Sequence, residues 1–248
     1  MTRGRARILG IAAAAAAATG SASALGAPHT RDSTVSYPVH SNITATVFWI
    51  GEPVGNGSSE DNALSAYDDK WKAHYGGFDD YRSVRRFPYF PPFTPRENPF
   101  YLDVPYSDFA DNGKPRADRT AVPWASRYAA QLAQSAKTGK PFSLMKNRWV
   151  KMWRVAGGRM RVCYGQVEDA GPYVYDDINY VFSRVDARPA SGLAHNAGMD
   201  VSPAIRDCLA FSGVNNDENK LSWRFVEAAA VPPGPWRRVV TTRQVFWP

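Results

Sequence analysis

RWVKMWRVAGGRMRVCYGQVEDAGPY, residues 148–173, decides the fold. Arg148 to Val155 alternates apolar and polar side chains, Gly157-Gly158 supplies a two-residue turn, and Met160 to Val167 alternates back, which is the pattern of a β-hairpin. The second strand runs out into Glu168-Asp169-Ala170-Gly171-Pro172-Tyr173, so its acids stand where a strand gives way to a turn.

Downstream, Gly198-Met199-Asp200-Val201-Ser202-Pro203-Ala204 repeats the theme of an acid at the end of a strand. Ser202 is a natural N-cap, Pro203 suits the first helical position, and Ala204 to Leu209 forms a helix that ends by Gly213. Leu221 to Val226 and Trp236 to Thr242 read as two further strands around a proline-rich link, Val231 to Pro235. Upstream, Ile43 to Ile50 is a β-branched and aromatic strand, and Gly51 to Ser59 is loop. Leu64, Tyr67, Trp71 and Tyr75 recur at helical spacing over Asn62 to Tyr75. Arg86 to Tyr101 interleaves aromatics with prolines, which forbids a regular ladder. Its rings either offer a platform for sugars or, as the preferred reading, fill the protein's own core. Leu102 to Phe109 reads as a short strand, and Pro123 to Lys137 as a helix closed by Gly139. The chain is therefore mainly β with helical and loop insertions, and shows no internal repeat.

The paired segments Glu168 to Tyr173 and Asp200 to Ala204 resemble motifs of the double-psi β-barrel proteins that act on polysaccharides. That group includes the rare lipoprotein A type lytic transglycosylases, the expansins and the family 45 endoglucanases. In those proteins a strand ends in Asn-Asp-Arg-Gly-Pro-Phe or similar, and an Asp-Leu-Ser motif opens a short helix. Trp223 to Val226 and Val231 to Trp236 also look like the last strands of such a barrel. The resemblance covers about residues 145–245, with Thr44 to Trp49 as a first strand, and implies a six-stranded double-psi β-barrel over 43–248 with an insertion at about 55–140. The chain departs at Ala170, where relatives often carry Arg, and at Phe48-Trp49, where they commonly present a Tyr hydroxyl.

Cleaving a glycosidic bond needs a proton donor to the leaving oxygen and a group that supports or attacks the anomeric carbon. Asp200 and Asp169 are the catalytic candidates. The residues themselves leave the roles open: a helix N-terminus lowers the pKa of Asp200 and suits it to be a base, while Glu168 beside Asp169 raises the latter toward an acid. The resemblance instead makes Asp200 the acid. Trp149, Trp153, Tyr164 and Tyr173 are candidates to stack on pyranose faces, with Asp177, beside Asp176 in an acidic loop, lining a cleft. His195 is an extra acid or base only if it is not a plain loop residue. The alternative function is a non-catalytic polysaccharide-binding or wall-loosening module, like an expansin.

Composition bounds the rest. Arg3, Arg5 and Arg7, the apolar run to Ala18 and the small residues to Ala24 form a cleavable secretory signal over 1–24, followed by a flexible lead-in over 25–42. The expected location is secreted, extracellular or in the cell wall. Of the formal charge of +7, those three arginines account for three. The scattered remainder does not form the stripe that nucleic acid needs, so the expected partner is a polysaccharide, peptidoglycan or a plant-type glycan, met by a monomer with no stable membrane span after processing. Cys163 and Cys208 either form one disulfide or remain buried thiols. Two cysteines and four scattered histidines argue against a metal site, and no cofactor motif appears. Ser202 lacks the surroundings of an esterase nucleophile.

Overall fold

A computed structural model of the chain describes residues 36–54, 62–86 and 89–247. The signal segment 1–24 lies outside these residues. Six strands close into a barrel: β1 (His40–Val47), β2 (Tyr101–Val104), β3 (Trp149–Ala156), β4 (Arg159–Ala170), β5 (Met199–Val201) and β6 (Lys220–Val226). Their order around the wall is β1-β5-β2-β4-β3-β6. β1 with β5 and β2 with β4 are parallel, and the other neighbours are antiparallel.

Alternation places the core. Ile43, Ala45, Val47, Leu102, Val104, Val150, Met152, Val167, Met199, Val201, Leu221, Trp223 and Phe225 all face the interior cluster, as period-two side-chain geometry demands. The four α-helices among the described residues, α1 (Trp71–Tyr75), α2 (Ala129–Thr138), α3 (Ile178–Val181) and α4 (Pro203–Leu209), are short. In α4 Ser202 is the N-cap, its hydroxyl accepting from the Ile205 N–H, and Pro203 opens the helix. Ala204, Ile205 and Leu209 drive that helix into the core. A disulfide joins Cys163 of β4 to Cys208 of α4 across a sequence separation of 45. Replacing both cysteines with serine is expected to cost about 2–4 kcal/mol, the range for closing a loop of that size. Urea unfolding of the double variant checks it.

Several boundaries differ from the sequence reading. The barrel begins at His40, inside the lead-in. Residues 55–140 are not one insertion, because β2 lies within them and is a wall of the barrel. β2 ends at Val104, where Pro105 removes a ladder donor. Residues 62–70 are turns rather than helix: a Ser65–Asp68 bridge and the Asp68 carboxylate, which accepts from Lys70 N–H, capture the backbone. Short helical turns at Ala125–Tyr128 lead into α2. Trp236 to Thr242 is not a strand, since Pro235–Arg237 forms a 3-10 turn. That segment instead crosses the outside of β4, where the Gln166 side chain mimics a strand by accepting from Thr241 N–H and donating to Thr241 C=O. The aromatics of the proline-rich stretch serve the protein's own interior: Phe100 is in the core, Tyr89 and Phe90 pack on it, and Phe93 packs on a second cluster with Phe48, Ile50, Trp71, Tyr75 and Tyr101. Phe87 and Pro88 lie outside the described residues.

Candidate functional site

Three aspartates stand side by side on the outer face of the barrel. Asp103 of β2 is the cross-strand partner of Asp200 on β5 and of Asp169 on β4, and Thr46 of β1 is the partner of Asp200. Because Leu102, Val104, Met199 and Val201 point inward, their neighbours Asp103 and Asp200 point outward. Asp169 would face inward by strict alternation from Val167. A register shift opposite Leu102 and Asp103 leaves Glu168 as the extra residue and turns Asp169 to the outer face, which is what a β-bulge does.

Loops roof this row. Asp103 is 3% exposed, and its Oδ1 accepts from the Asp200 backbone N–H at 2.9 Å. Gly171 passes directly over it: a Cβ there would meet Asp103 Oδ2 at 3.0 Å, and φ is +150°. Glycine suits this backbone conformation, and a Cβ would crowd the Asp103 carboxylate. Asp169 Oδ1 accepts from Ala66 N–H at 2.7 Å and Ala170 N–H at 2.8 Å, so the turn at 62–70 orients this carboxylate. Asp200 Oδ1 and Thr46 Oγ1 are buried with no hydrogen-bond partner among the described residues.

Electrostatics separate the acids. Burial, then Glu52 and Asp169, push Asp200 up to about 8. Burial, then Asp200 and Asp169, raise Asp103 well above the ordinary carboxyl range. Crowded carboxyls in a poorly solvated place cannot all ionise. The helix dipole does not prevail at Asp200, because Ser202 does the capping and Asp200 projects from the outer face of β5. Glu168 turns away from the row to pair with Lys146, Nζ to Oε2 2.7 Å.

The other sequence candidates fare unequally. Tyr173 follows Gly171-Pro172, is 43% exposed, and feels Asp200, Glu52 and Asp103 behind the effect of burial, which puts it at the mouth of the row. Trp149 and Tyr164 are not at the row: they pack with Val231 further along the sheet, and Tyr164 is covered by Trp236 at 5.1 Å. Trp153 lies beyond them near the hairpin tip, under Lys151. Asp177 is the N-cap of α3, accepting from Tyr180 N–H and Ala190 N–H, so its carboxylate is spent on the loop. Asp176 is exposed, as is His195 in a turn. Asp103, Glu52 and Thr46 were missed. Asp103 is a lone acid in Tyr-Leu-Asp-Val, a segment read only as a short strand, and its only signal is a charge between apolar neighbours.

Two concavities lie elsewhere, one of about 390 Å³ between Trp124, Trp149, Phe225 and Thr241, the other of about 580 Å³ beside Leu64, Lys72 and Arg96. Neither contains an acid of the row. Volume alone does not locate chemistry, and the row carries the perturbed groups. Among the described residues no cluster of His, Cys, Asp and Glu could hold a metal ion, and no helix is long and apolar enough to cross a membrane. Closed barrel and acid row together define a β-barrel protein with a carboxyl-lined outer face. Comparison with protein-family models, curated proteins and solved structures returns no match.

Proposed function

We propose that the chain is an exported double-psi β-barrel protein that cleaves glycosidic bonds in a wall polysaccharide, with Asp200 as general acid and Asp169 as the opposing carboxylate. The observation that carries this reading is the row Asp200, Asp103, Asp169 on three adjacent strands, in which Asp200 keeps its proton to about pH 8. A carboxyl that stays neutral at working pH can protonate a leaving oxygen. Asp169, oriented by two backbone N–H groups, accepts a proton from water or from the sugar's own hydroxyl. Two strand spacings put the outer acids roughly 9.5 Å apart at the backbone. That supports the wide carboxyl arrangement, roughly 6.5–9.5 Å, with Asp103 standing between the two. Tyr173 offers an exposed ring for a pyranose face.

The non-catalytic wall-binding reading draws on a different observation: the aromatic concavity at Trp124 and Trp149 lies away from the acids. Product release decides between them, since a binder retains the glycan without freeing fragments. For the enzyme, the pH profile has a definite sign. A general acid works while protonated, so turnover is expected to hold up to about pH 8 and to fall about tenfold per unit above it. A rate already lost above pH 5 rules out Asp200 as the acid.

A further inference from the structure

The β3–β4 hairpin outgrows the barrel. β3 pairs with β6 only from Trp149 to Trp153, and β4 pairs with β2 only from Gln166 to Ala170. Beyond Trp153 the two strands pair only with each other, through Arg154–Arg161, Val155–Met160 and Ala156–Arg159, while the Arg154 side chain reaches back to donate to the Glu218 C=O and to lie over the Phe211 ring. Gly157 and Gly158, both in the left-handed region at φ 57° and 69°, close the ribbon with a turn matched to its twist. The free part extends roughly 10 Å.

One face of this ribbon is apolar and open to solvent. The cross-strand pairs Trp153–Val162 and Val155–Met160 share it, with Val155 62%, Met160 61% and Val162 36% exposed. Projecting aliphatic side chains have no partner in the fold, and such contiguous patches mark interaction sites. The hairpin's own charges have a single sign, although Glu218 lies near Arg154. Residues 146–167 include Lys146, Arg148, Lys151, Arg154, Arg159 and Arg161 and no Asp or Glu. Lys146 is buried in its ion pair and Arg148 stacks on Trp124 and Tyr128. Lys151 stands at the base of the apolar face, beside Arg224 of β6. Arg159 and Arg161, both exposed, rise from the reverse side with stems long enough to reach around a two-stranded edge.

We infer that this hairpin is a docking finger for an anionic lipid bilayer. Val155, Met160 and Val162 enter the boundary between headgroups and acyl chains, Trp153 sits at headgroup depth, and Lys151, Arg159, Arg161 and Arg224 meet lipid phosphates. The aliphatic character selects this occupant: sugars stack on flat rings, whereas branched and thioether side chains seek hydrocarbon. Basic residues near an anionic leaflet each strengthen binding roughly fivefold at moderate salt. The inference is independent of the acid row, which lies on β5, β2 and the far end of β4.

The test is co-sedimentation of the processed chain, from Leu25, with vesicles of phosphatidylcholine alone or doped with phosphatidylglycerol. Binding is expected only to the anionic vesicles and to weaken with salt. Arg159→Gln with Arg161→Gln is expected to lower the partition coefficient about 30-fold, and Val155→Ser with Met160→Ser at least about tenfold. Val84→Ser, at a site 88% exposed elsewhere, should change nothing. Far-UV circular dichroism identical to the parent shows that the tip variants fold. Failure to bind anionic vesicles, or equal binding by the tip variants, overturns the inference. So does a tip-dependent change in sedimentation-velocity mass without vesicle binding, which would make the face a contact between copies.

Discussion

Asp200→Asn is expected to reduce glycan cleavage by about 10²–10⁴-fold, the usual contribution of a positioned general acid, and at the same time to make the protein more stable at neutral pH. The two effects share one cause. Burial and the neighbouring Glu52 and Asp169 raise the folded-state pKa of Asp200 from 3.8 to about 8. The unfolded chain releases its proton near pH 4, the folded chain only near 8. Between those values the unfolded state binds fewer protons, so stability declines as pH rises through that window and levels off above it. Asparagine is nearly isosteric and never ionises, so the decline should flatten. Each kcal/mol relieved raises Tm by roughly 2–4 °C in a chain of this size. Thermal unfolding from pH 4 to 9, beside product assays on the same samples, tests both halves. An Asp200→Asn protein that keeps its activity, or melts lower than the parent at pH 8, contradicts the assignment.

Lys146→Met is expected to destabilise the fold by about 3–5 kcal/mol, the cost of leaving a buried charge without its partner. Lys146 and Glu168 are 0% and 1% exposed as side chains and meet at 2.7 Å. Burial alone would lower the Lys146 ammonium, but the facing Glu168 carboxylate reverses this and holds it above its ordinary value. Burial raises Glu168 even with the lysine in place, so removing the lysine leaves the carboxyl with the burial cost and the Asp68 charge, against a single hydrogen bond with Thr241. Lys146→Met with Glu168→Leu removes both charges and should recover most of the loss. Glu168 is also the bulge residue that turns Asp169 outward, so the pair connects core stability to the geometry of the row. Urea titration of the three variants decides. A single Lys146→Met variant as stable as the parent would show that the pair contributes nothing.

The hairpin, α4 with its Ser202 cap, β1 and β6 were legible because each rests on a local rule, either alternation, a Gly-Gly turn or a capping serine followed by proline. The site was legible in part. Asp169 and Asp200 announce themselves at strand ends, and the barrel sets them on the two strands that flank β2. Asp103 was not legible, because its meaning comes from pairing with residues 66 and 97 positions away, and a charge in a four-residue strand looks like a surface residue. The bulge at Glu168 was hidden for the same reason: alternation read along β4 alone assigns Asp169 to the wrong face. The helix-dipole argument at Asp200 failed because burial, a tertiary property, outweighs a helix end already capped by Ser202. Trp149 and Tyr164 lie away from the row because the proline-rich tail, part of it read as a strand, folds over the outside of the sheet with Val231 and Trp236.

The most direct test of the central claim is mass analysis of the soluble products released when residues 25–248 are incubated with purified insoluble peptidoglycan, and separately with cellulose, below and above pH 8. If Asp200 is the proton donor, glycan fragments with new reducing ends or anhydro termini appear from one of these polymers below about pH 8, fade above it, and are missing with Asp200→Asn. Protein that stays bound to the polymer at every pH while no fragment is released, or fragments that appear equally with Asp200→Asn, contradict it.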